Sequence, residues 1–512
     1  MYFRIFISLL AFLFFIGCAS SSQETKDDFE QIKQLNVSSL ELTGEALSNA
    51  YCAVCHIKPD PSLLDQITWK TSVLPDMRRR LGLINAEDFG VAVGEDNDAP
   101  EGIYASETLI NQSEWDLIED FYLSHAPEKL PVIDLSSQDL LNLDEFSLRV
   151  PDYGEKRPSL TTLTEVHEDS QVIFVGDRHN QLFKIDSKSF KILDSLRIPS
   201  PASSIRFRHN GAFDLLTMGF MDPSNFAIGQ MNAFSAEASE SIMLDSLRRP
   251  VHFSFGDLSG NGEEDIVVCN FGHHIGSLVW FEKTTSGYKE HVLNNRPGAR
   301  KTFLDDVNGD GLLDIIVLMT QAKEGVFAYL NQGNGNFKEN TWLSFHPVFG
   351  SSDFEWIDID GDGFKDIVLV NGDNADLSPI LKPYHGVRIF KNNGKNQFEE
   401  TYFYPMYGAS ALVAGSFSGE NKNDIAVISH FPDKQNELLE NFLFFEQLSE
   451  FDFKVKRFPE LGKWSLLTIN KGDVNGDGKK DLVLGSFDFK TRYAFPPVDW
   501  VPFLILENDF EN

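Results

Sequence analysis

The fold is decided by a stretch at residues 306–318, which reads DVNGDGLLDIIVL. Its first nine residues carry acidic or amide side chains at positions 1, 3, 5 and 9 and glycines at positions 4 and 6. Full copies recur at 358–366 and 473–481, a weaker copy at 257–265 and a degenerate copy at 416–424. Each copy leads into an apolar run, which is typical of a buried strand.

The copies are regularly spaced along the second half of the chain. A metal-free remnant of the loop ends at Asp214, and the closing aspartates are Asp214, Asp265, Asp314, Asp366, Asp424 and Asp481. A period near fifty residues with about four strands per unit is typical of a β-propeller. An earlier unit at 171–176 brings the predicted count to seven blades. We expect a segment near Phe146 to Val150 to supply the last outer strand and close the ring.

These units resemble FG-GAP or VCBS repeats, the type found in the integrin α-chain head. The resemblance covers residues 159–512 and implies an all-β, seven-bladed propeller. Residues 132–158 are interpreted as a linker that includes the ring-closing strand. The fold class is therefore a small all-α domain followed by this propeller.

The chemistry of the nine-residue loop indicates calcium. Hard oxygen donors on a flexible loop suit Ca²⁺ better than Mg²⁺, which needs a stricter octahedron. No glutamate stands at position 12, so an EF-hand is excluded. The predicted ligands, with position 7 acting through its carbonyl, are Asp306, Asn308, Asp310, Leu312, Asp314; Asp358, Asp360, Asp362, Phe364, Asp366; Asp473, Asn475, Asp477, Lys479, Asp481; and, more weakly, Asp257, Ser259, Asn261, Asp265. Their expected role is to staple the blades.

A second motif, Cys52-Ala53-Val54-Cys55-His56, lies near the start of the chain. The Cys-x-x-Cys-His spacing predicts c-type haem attachment, with two thioether bonds and a histidine-to-iron bond. The alternatives are a thioredoxin-like redox pair and half of a zinc site. A second zinc ligand pair is missing, because the other cysteines are Cys18 and Cys269. Cys269 follows an apolar run and is expected to be a buried, inert thiol.

Residues 39–131 resemble a small class I cytochrome c. Gly44 to Tyr51 can form the helix that leads into the haem motif, and a second amphipathic helix runs near 113–122. The resemblance implies that the terminal helix packs across the first. For the sixth iron ligand we favour Met77, in a proline-stiffened loop; His125 and an open position are the alternatives.

The first residues resemble a bacterial lipoprotein signal. Residues 1–17 contain a basic Arg4 and an apolar run too short to span a bilayer, and Cys18 would carry the lipid. A flexible linker is expected over 18–38. We expect an extracytoplasmic protein that is lipid-anchored to a bacterial membrane. The expected membrane is the outer membrane, with the protein exposed at the cell surface. The net charge of −33 argues against a nucleic-acid partner.

The loops that follow the apolar strands should gather on one propeller face. They carry polar residues that suit a small polar ligand such as a sugar or organic acid, namely Gln321, Glu324, Asp373, Asn374, Lys382, Tyr384 and His385. The alternative is that these long loops are simply solvated.

The sequence favours electron transfer through the haem, coupled to a calcium-stapled propeller that binds a ligand or a redox partner protein. The alternative is a surface module that binds glycan or protein and carries a structural or vestigial haem. A propeller hydrolase or lyase is a third reading. No catalytic motif was found in the propeller, so an enzymatic role, as the electron-accepting part of an oxidoreductase, stays open.

Overall fold

A short helical segment precedes a ring of β-sheets. The computed structural model describes residues 43–84, 99–133, 140–236, 239–321, 323–373, 380–420, 422–434, 440–488 and 498–511. The predicted signal peptide, the linker over 18–38, Cys18 and Asn374 lie outside these residues. Among the described helices, none is both long and apolar enough to cross a membrane.

The helical segment contains α1 (Gly44–Tyr51), α2 (Gln66–Thr68), α3 (Leu74–Arg80) and α4 (Gln112–His125). Side chains fix both long helices at their first turn. The Thr43 hydroxyl accepts the Ala46 amide at 3.2 Å, and Asn111 and Glu114 form a reciprocal capping box at α4. The helix bounds therefore follow from local capping chemistry.

Helices α1 and α4 cross in close contact at Gly44. A Cβ atom at this position would lie 2.0 Å from the Leu117 carbonyl oxygen and 2.6 Å from the Phe121 Cβ. Because no side chain fits there, glycine permits the approach of the two helices. Their apolar faces meet around Leu47 and Ile118, which are 5% and 0% exposed.

Met77 lies inside helix α3, and the prediction of a proline-stiffened loop at this position was wrong. Pro75 occupies the start of α3, where a missing N–H is tolerated. A π-helical turn (Trp69–Val73) joins α2 to α3 directly before it. The proline is thereby absorbed into one continuous helical stretch.

The propeller has seven sheets in the described residues, which confirms the predicted blade count. Blade 1 contains β3 (Thr161–His167), β4 (Val172–Asp177), β5 (Gln181–Asp186) and β6 (Ile192–Arg197), and blade 2 contains β7 (Ala202–Phe207), β8 (Phe213–Thr217), β9 (Ala227–Phe234) and β10 (Glu240–Arg248). Blade 3 contains β11 (Pro250–Gly256), β12 (Asp265–Asn270), β13 (Ser277–Thr284) and β14 (Gly287–Asn294), and blade 4 contains β15 (Ala299–Asp305), β16 (Asp314–Met319), β17 (Gly325–Asn331) and β18 (Phe337–Ser344). Blade 5 contains β19 (Ser351–Ile357), β20 (Asp366–Asn371), β21 (Gly386–Asn392) and β22 (Phe398–Pro405), and blade 6 contains β23 (Ala409–Gly415), β24 (Asp424–Ser429), β25 (Phe442–Ser449) and β26 (Asp452–Arg457).

Blade 7 is completed by a strand that precedes the first propeller repeat in the sequence. Its strands are β27 (Leu466–Gly472), β28 (Asp481–Ser486), β29 (Phe503–Asn508) and β2 (Phe146–Arg149), which pairs antiparallel with β29 at the position where the sequence analysis places it. A two-residue strand, β1 (Leu141–Asn142), adds in parallel to β26 of blade 6. The sequence analysis did not predict β1, because two residues carry no periodic signal.

In blades 2 to 7 the second strand is buried along its whole length, as in β16, β20 and β28. Neighbouring blades cover both faces of these strands, which explains their continuous apolar runs. The first strands are instead buried only in part, as in β11 and β15, and polar side chains of neighbouring first strands meet across blades. Lys301, for example, lies 3.1 Å from the Asp353 carboxylate and 3.0 Å from that of Glu355.

Phe146 tests the contribution of the closing strand. Its ring is 4% exposed and packs on Phe444 at a centroid distance of 5.5 Å. We expect Phe146→Ala to lower the free energy of unfolding by about 3–5 kcal/mol through cavity formation, visible as a lower midpoint in denaturant. Phe220→Ala is the control, since that ring is 51% exposed. Equal midpoints for both variants would contradict a stabilising role for β2.

Candidate functional site

A cavity of about 170 Å³ lies between the helical segment and the propeller. Its helical wall includes Cys52, His56, Trp69, Met77, Trp115 and Tyr122, and its propeller wall includes Thr320, Glu324, Gly350, Asp373 and Lys382. Residues predicted for two separate sites thus line one cavity. Sequence reasoning did not identify Trp69 or Thr320 as cavity residues, because neither belongs to a motif.

His56 and Cys52 bring the Cys-x-x-Cys-His motif to the cavity. The His56 Nδ1 atom lies 3.0 Å from the Ile57 carbonyl oxygen, which leaves Nε2 as the ring nitrogen available to a ligand. Burial lowers the pKa of His56, so its imidazole is neutral near pH 7. Burial also raises the pKa of the Cys52 thiol to about 11. Cys55 is exposed.

Of the two residues weighed as the sixth ligand, Met77 lines the cavity. His125 is exposed at the end of α4, and its Nδ1 atom lies 2.8 Å from the Phe121 carbonyl oxygen. It is not among the residues that line the cavity. The described structure therefore brings His56 and Met77 to the same space and leaves His125 outside it.

Two aromatic side chains are held rigidly in the helical wall. The Trp69 indole donates to the Pro61 carbonyl at 2.8 Å, and the Tyr122 hydroxyl donates to the Pro59 carbonyl at 3.0 Å. Their rings pack at a centroid distance of 4.5 Å. Because their polar atoms are satisfied, both residues present apolar surface to the cavity.

The propeller wall contains Glu324, which is 1% exposed. Its Oε1 atom accepts the backbone N–H of Ser351 at 2.5 Å. Burial raises the pKa of Glu324 to about 7, although this hydrogen bond favours the charged form. A carboxyl group of this kind can change its protonation state near neutral pH.

Lys382 lines the cavity from the blade 5 loop, and His385 follows on the same loop but is not a lining residue. Lys382 is 2% exposed, and its ammonium lies 3.5 Å from the Asp373 carbonyl oxygen. His385 is 0% exposed, and neither ring nitrogen has a hydrogen-bond partner among the described residues. The sequence analysis expected these residues in polar loops gathered on one propeller face, and the structure buries both of them.

Tyr384, predicted as a pocket residue, fastens the helical segment to the propeller. Its hydroxyl oxygen lies 3.2 Å from the Leu63 carbonyl oxygen and 3.1 Å from that of Val348. A second contact joins Arg80 of α3 to His274 of blade 3, with 3.2 Å between the guanidinium and Nδ1. These contacts hold the two walls of the cavity together. Gln321 lies next to the cavity residue Thr320, and its Oε1 atom is buried without a partner in the described residues.

The nine-residue loops are held by their own carboxylates. In the first full copy, the Asp306 Oδ1 atom accepts the Gly309 and Asp310 amides at 2.8 and 3.0 Å, and Oδ2 accepts the Gly311 amide at 2.8 Å. The same pattern recurs at Asp358 and Asp473. The position-7 residues Leu312, Phe364 and Lys479 each donate their amide to the carboxylate at position 5.

The closing aspartate of each loop is buried. Asp314 is 0% exposed; its Oδ1 atom accepts the Asn331 amide at 2.7 Å, and its Oδ2 atom accepts the Val307 amide at 3.2 Å. Equivalent pairs are made by Asp265, Asp366, Asp424 and Asp481. These aspartates therefore join the loop to the third strand of the blade.

Asp358, Asp360 and Asp366 place ligand oxygens within 4.8 Å of one another. This grouping could hold a cation, because hard oxygen donors converge there. The ammonium of Lys391 contacts Asp360 and lies 3.3 Å from the Asp362 carboxylate.

The remaining copies carry fewer candidate ligands. In the weaker loop at 257–265, the Ser259 hydroxyl is buried without a partner among the described residues, and the Asn261 amide donates to the Lys283 carbonyl at 3.0 Å. In the remnant of blade 2, the guanidinium of Arg208 lies 3.1 Å from the Asp214 carboxylate. A protein cation thus faces the buried aspartate of that blade.

Comparisons with known proteins bear on the propeller. The family described as FG-GAP-like repeat matches residues 306–369. Integrin alpha-4 of Xenopus laevis is 36% identical over 142 residues, which cover 25% of this chain and 14% of that protein. The chain therefore spans about one seventh of the length of that relative.

Two solved structures are similar in outline. The Neurospora crassa Pan2 WD40 domain gives a TM-score of 0.44 at 10% identity, covering 73% of this chain and 98% of that chain. A chain from an S. cerevisiae structure of dbp5 bound to nup159 and gle1 gives 0.41 at 11% identity, covering 72% and 98%.

The fold and the match define a seven-bladed β-propeller that carries an FG-GAP-like repeat, as the sequence predicted. A helical segment is seated on one face of this propeller and shares a cavity with it. Propellers of this type indicate a binding module.

Removing the Tyr384 hydroxyl tests the docking of the helical segment. Tyr384→Phe leaves a buried carbonyl without its donor, so we expect a loss of about 1–2 kcal/mol in the free energy of unfolding and faster amide exchange near residues 61–64. Tyr402→Phe is the control, because that hydroxyl makes no hydrogen bond within the described residues. Unchanged exchange in Tyr384→Phe would show that the hydroxyl does not secure the interface.

Proposed function

We propose that this protein is an extracytoplasmic haem protein that transfers electrons through a covalently attached c-type haem. The cavity carries the proposal, because Cys52, His56 and Met77 line one space between the helices and the propeller. Cys52 and His56 were chosen from the spacing of their motif, and Met77 was chosen as a methionine next to Pro75 in the same predicted domain. Their meeting at one cavity supports the haem reading over half of a zinc site or a thioredoxin-like pair.

The chemistry of the cavity fits a haem. A flat apolar macrocycle with charged substituents needs aromatic walls and a polar end. Trp69 and Trp115, both 1% exposed, supply apolar surface, while Lys382 brings a cation and Glu324 a carboxyl group. The His56 imidazole is neutral and has one ring nitrogen free of the Ile57 contact, as iron ligation requires.

Each residue then has a defined task. Cys52 and Cys55 would form the thioether links, and His56 and Met77 would bind iron through nitrogen and sulfur. Bound haem supplies one-electron redox chemistry, and a thioether ligand raises its potential. The aromatic wall excludes water, which strengthens electrostatic interactions inside the cavity.

The compartment is part of the proposal. Lipid on Cys18 would hold the protein on the outer side of a bacterial membrane, where haem is attached to this motif. A redox partner protein would then take or deliver the electron.

We also propose that the loops at 306–314, 358–366 and 473–481 bind Ca²⁺ and staple the blades. Support comes from Asp358, Asp360 and Asp366, whose oxygens converge, and from Arg208, which puts a cation on Asp214 where the loop ligands are missing. Clustered carboxylates repel one another, so a cation is expected among them.

A second candidate function is a surface module that binds a glycan, a protein or a small polar ligand such as an organic acid. The 36% identity to part of integrin alpha-4 favours this reading. In that case the haem would be structural or vestigial. Haem reduction driven by a candidate substrate separates the two, since a pure binding module binds without changing the haem spectrum.

Met77→Ala tests the sixth ligand. We expect loss of the absorbance feature of sulfur-to-iron ligation and a lower midpoint potential in spectroelectrochemical titration of the full chain, because the thioether favours reduced iron. Met406→Ala is the matched control, as that methionine is 0% exposed in the propeller core and should alter only stability. An unchanged Met77→Ala spectrum would remove Met77 from the site. A colourless wild-type protein with both motif thiols open to alkylation would end the haem proposal.

Lys391→Met tests the calcium proposal at the loop of blade 5. The ammonium competes with a cation for Asp360 and Asp362, so its removal should tighten calcium binding there by about fivefold, or about 1 kcal/mol. Calorimetry or terbium luminescence measures the affinity. Lys395→Met, four residues further along on the exposed turn, is the control. Weaker or equal affinity in Lys391→Met would show that the ammonium supports the loop instead of competing for it.

A further inference from the structure

Glu324 is an ionisable group placed by the propeller in the wall of the cavity that His56 and Met77 also line. It is 1% exposed, its Oε1 atom accepts the Ser351 amide at 2.5 Å, and the Gly350 backbone also favours its charged form. Among the ion pairs of the described residues, none reaches its carboxylate. The group is therefore buried with polar contacts but without a neutralising cation in contact with it.

A buried carboxyl group in this position responds to charge in the cavity. Burial disfavours its ionised form, while a positive charge nearby favours that form. Loss of one electron from a bound haem would raise the charge in the cavity by one unit. Because the enclosed space has a low effective dielectric, this change acts strongly on Glu324.

Several titratable groups lie near Glu324 on the propeller side of the cavity. Burial lowers the pKa of His346 to about 4 and that of His385 well below its ordinary value, so both are neutral. Burial raises the pKa of Tyr384, which also stays neutral. Asp373 raises the pKa of Glu324, and Lys382 supplies a positive charge on the same wall.

Unpartnered polar atoms lie behind this wall. The Gln321 Oε1, Ser351 Oγ and both ring nitrogens of His385 are buried and make no hydrogen bond within the described residues. Buried polar atoms of this kind are usually satisfied by ordered water.

We propose that Glu324 couples electron transfer at this cavity to proton transfer. When one electron leaves the iron for an external one-electron acceptor, the Glu324 carboxyl group releases one proton to solvent and becomes a carboxylate. On reduction by one electron, the carboxylate takes one proton back. This inference rests on the proposed haem function and assigns a redox role to a propeller residue outside the haem motif.

The test is the midpoint potential of the full-length haem-loaded chain between pH 5.5 and 8.5, titrated against mediators with ferricyanide and dithionite. The carboxylate stabilises the oxidised form, so the wild-type potential should fall as pH rises. The limit is a tenfold change in the redox equilibrium constant, or 59 mV, per pH unit. Glu324→Gln cannot lose a proton and should give a flat profile over this range.

Glu165→Gln is the matched control. Burial raises the pKa of Glu165 to about 7 as well, but its carboxylate accepts a hydrogen bond from Asn470 and is not a cavity residue. This variant should keep the wild-type slope. Glu324→Asp retains a carboxyl group and should keep a slope, with the midpoint of that slope at a different pH. This variant provides the test if Glu324→Gln fails to fold.

The outcomes separate the two proposals. A preparation without haem absorbance contradicts the proposed function itself. A haem-loaded wild type with a flat profile, or a Glu324→Gln variant that keeps the full slope, overturns the role of Glu324 and leaves the haem proposal standing. Loss of the slope in Glu165→Gln would show that Glu165, and not Glu324, exchanges the proton.

Discussion

The propeller depends on one repeated interaction, in which a buried aspartate at the end of each loop binds two backbone amides. Asp314 joins its own loop at Val307 to the third strand at Asn331. The side chain of Asn331 then donates to the Leu258 carbonyl of the preceding blade at 2.9 Å. Similar links run from Gln447 to blade 5 and from Asn508 to blade 6. Because the ring is closed, each blade is positioned by its neighbours, and a buried carboxylate without such partners would be costly.

This constraint determines where the functional groups lie. The loops with the buried aspartates leave the blades at one end of the second strands, so the loops at the other end converge on the opposite face. There His274, Glu324 and Lys382 from three successive blades meet the helical segment. A cavity residue such as Glu324 therefore owes its position to ring geometry, while Met77 owes its position to helix docking. The cavity exists only where both parts meet.

The sequence predicted the features that depend on local interactions. The six closing aspartates and the apolar unit at 171–176 predicted seven blades, and the first helix was predicted at the bounds that the structure gives it, Gly44–Tyr51. The docking of the helices was not predictable, because it joins Tyr384 to Leu63 across more than three hundred residues. For the same reason, the sequence did not predict that Lys382 shares a cavity with the helices. Met77 was placed in a loop because the π-helical turn that accommodates Pro75 has no sequence signature.

The burial of the propeller wall changes what its polar residues can do. Charges at an open mouth would be screened by water and salt, whereas charges at 1–2% exposure interact strongly with any charge that appears in the cavity. Keeping Glu324 and Lys382 buried costs free energy that an apolar wall would avoid. A propeller that only supported the helices would have no need for them. In the proposed haem protein this cost would be offset if the two charges controlled what the cavity binds and the potential at which the haem exchanges an electron.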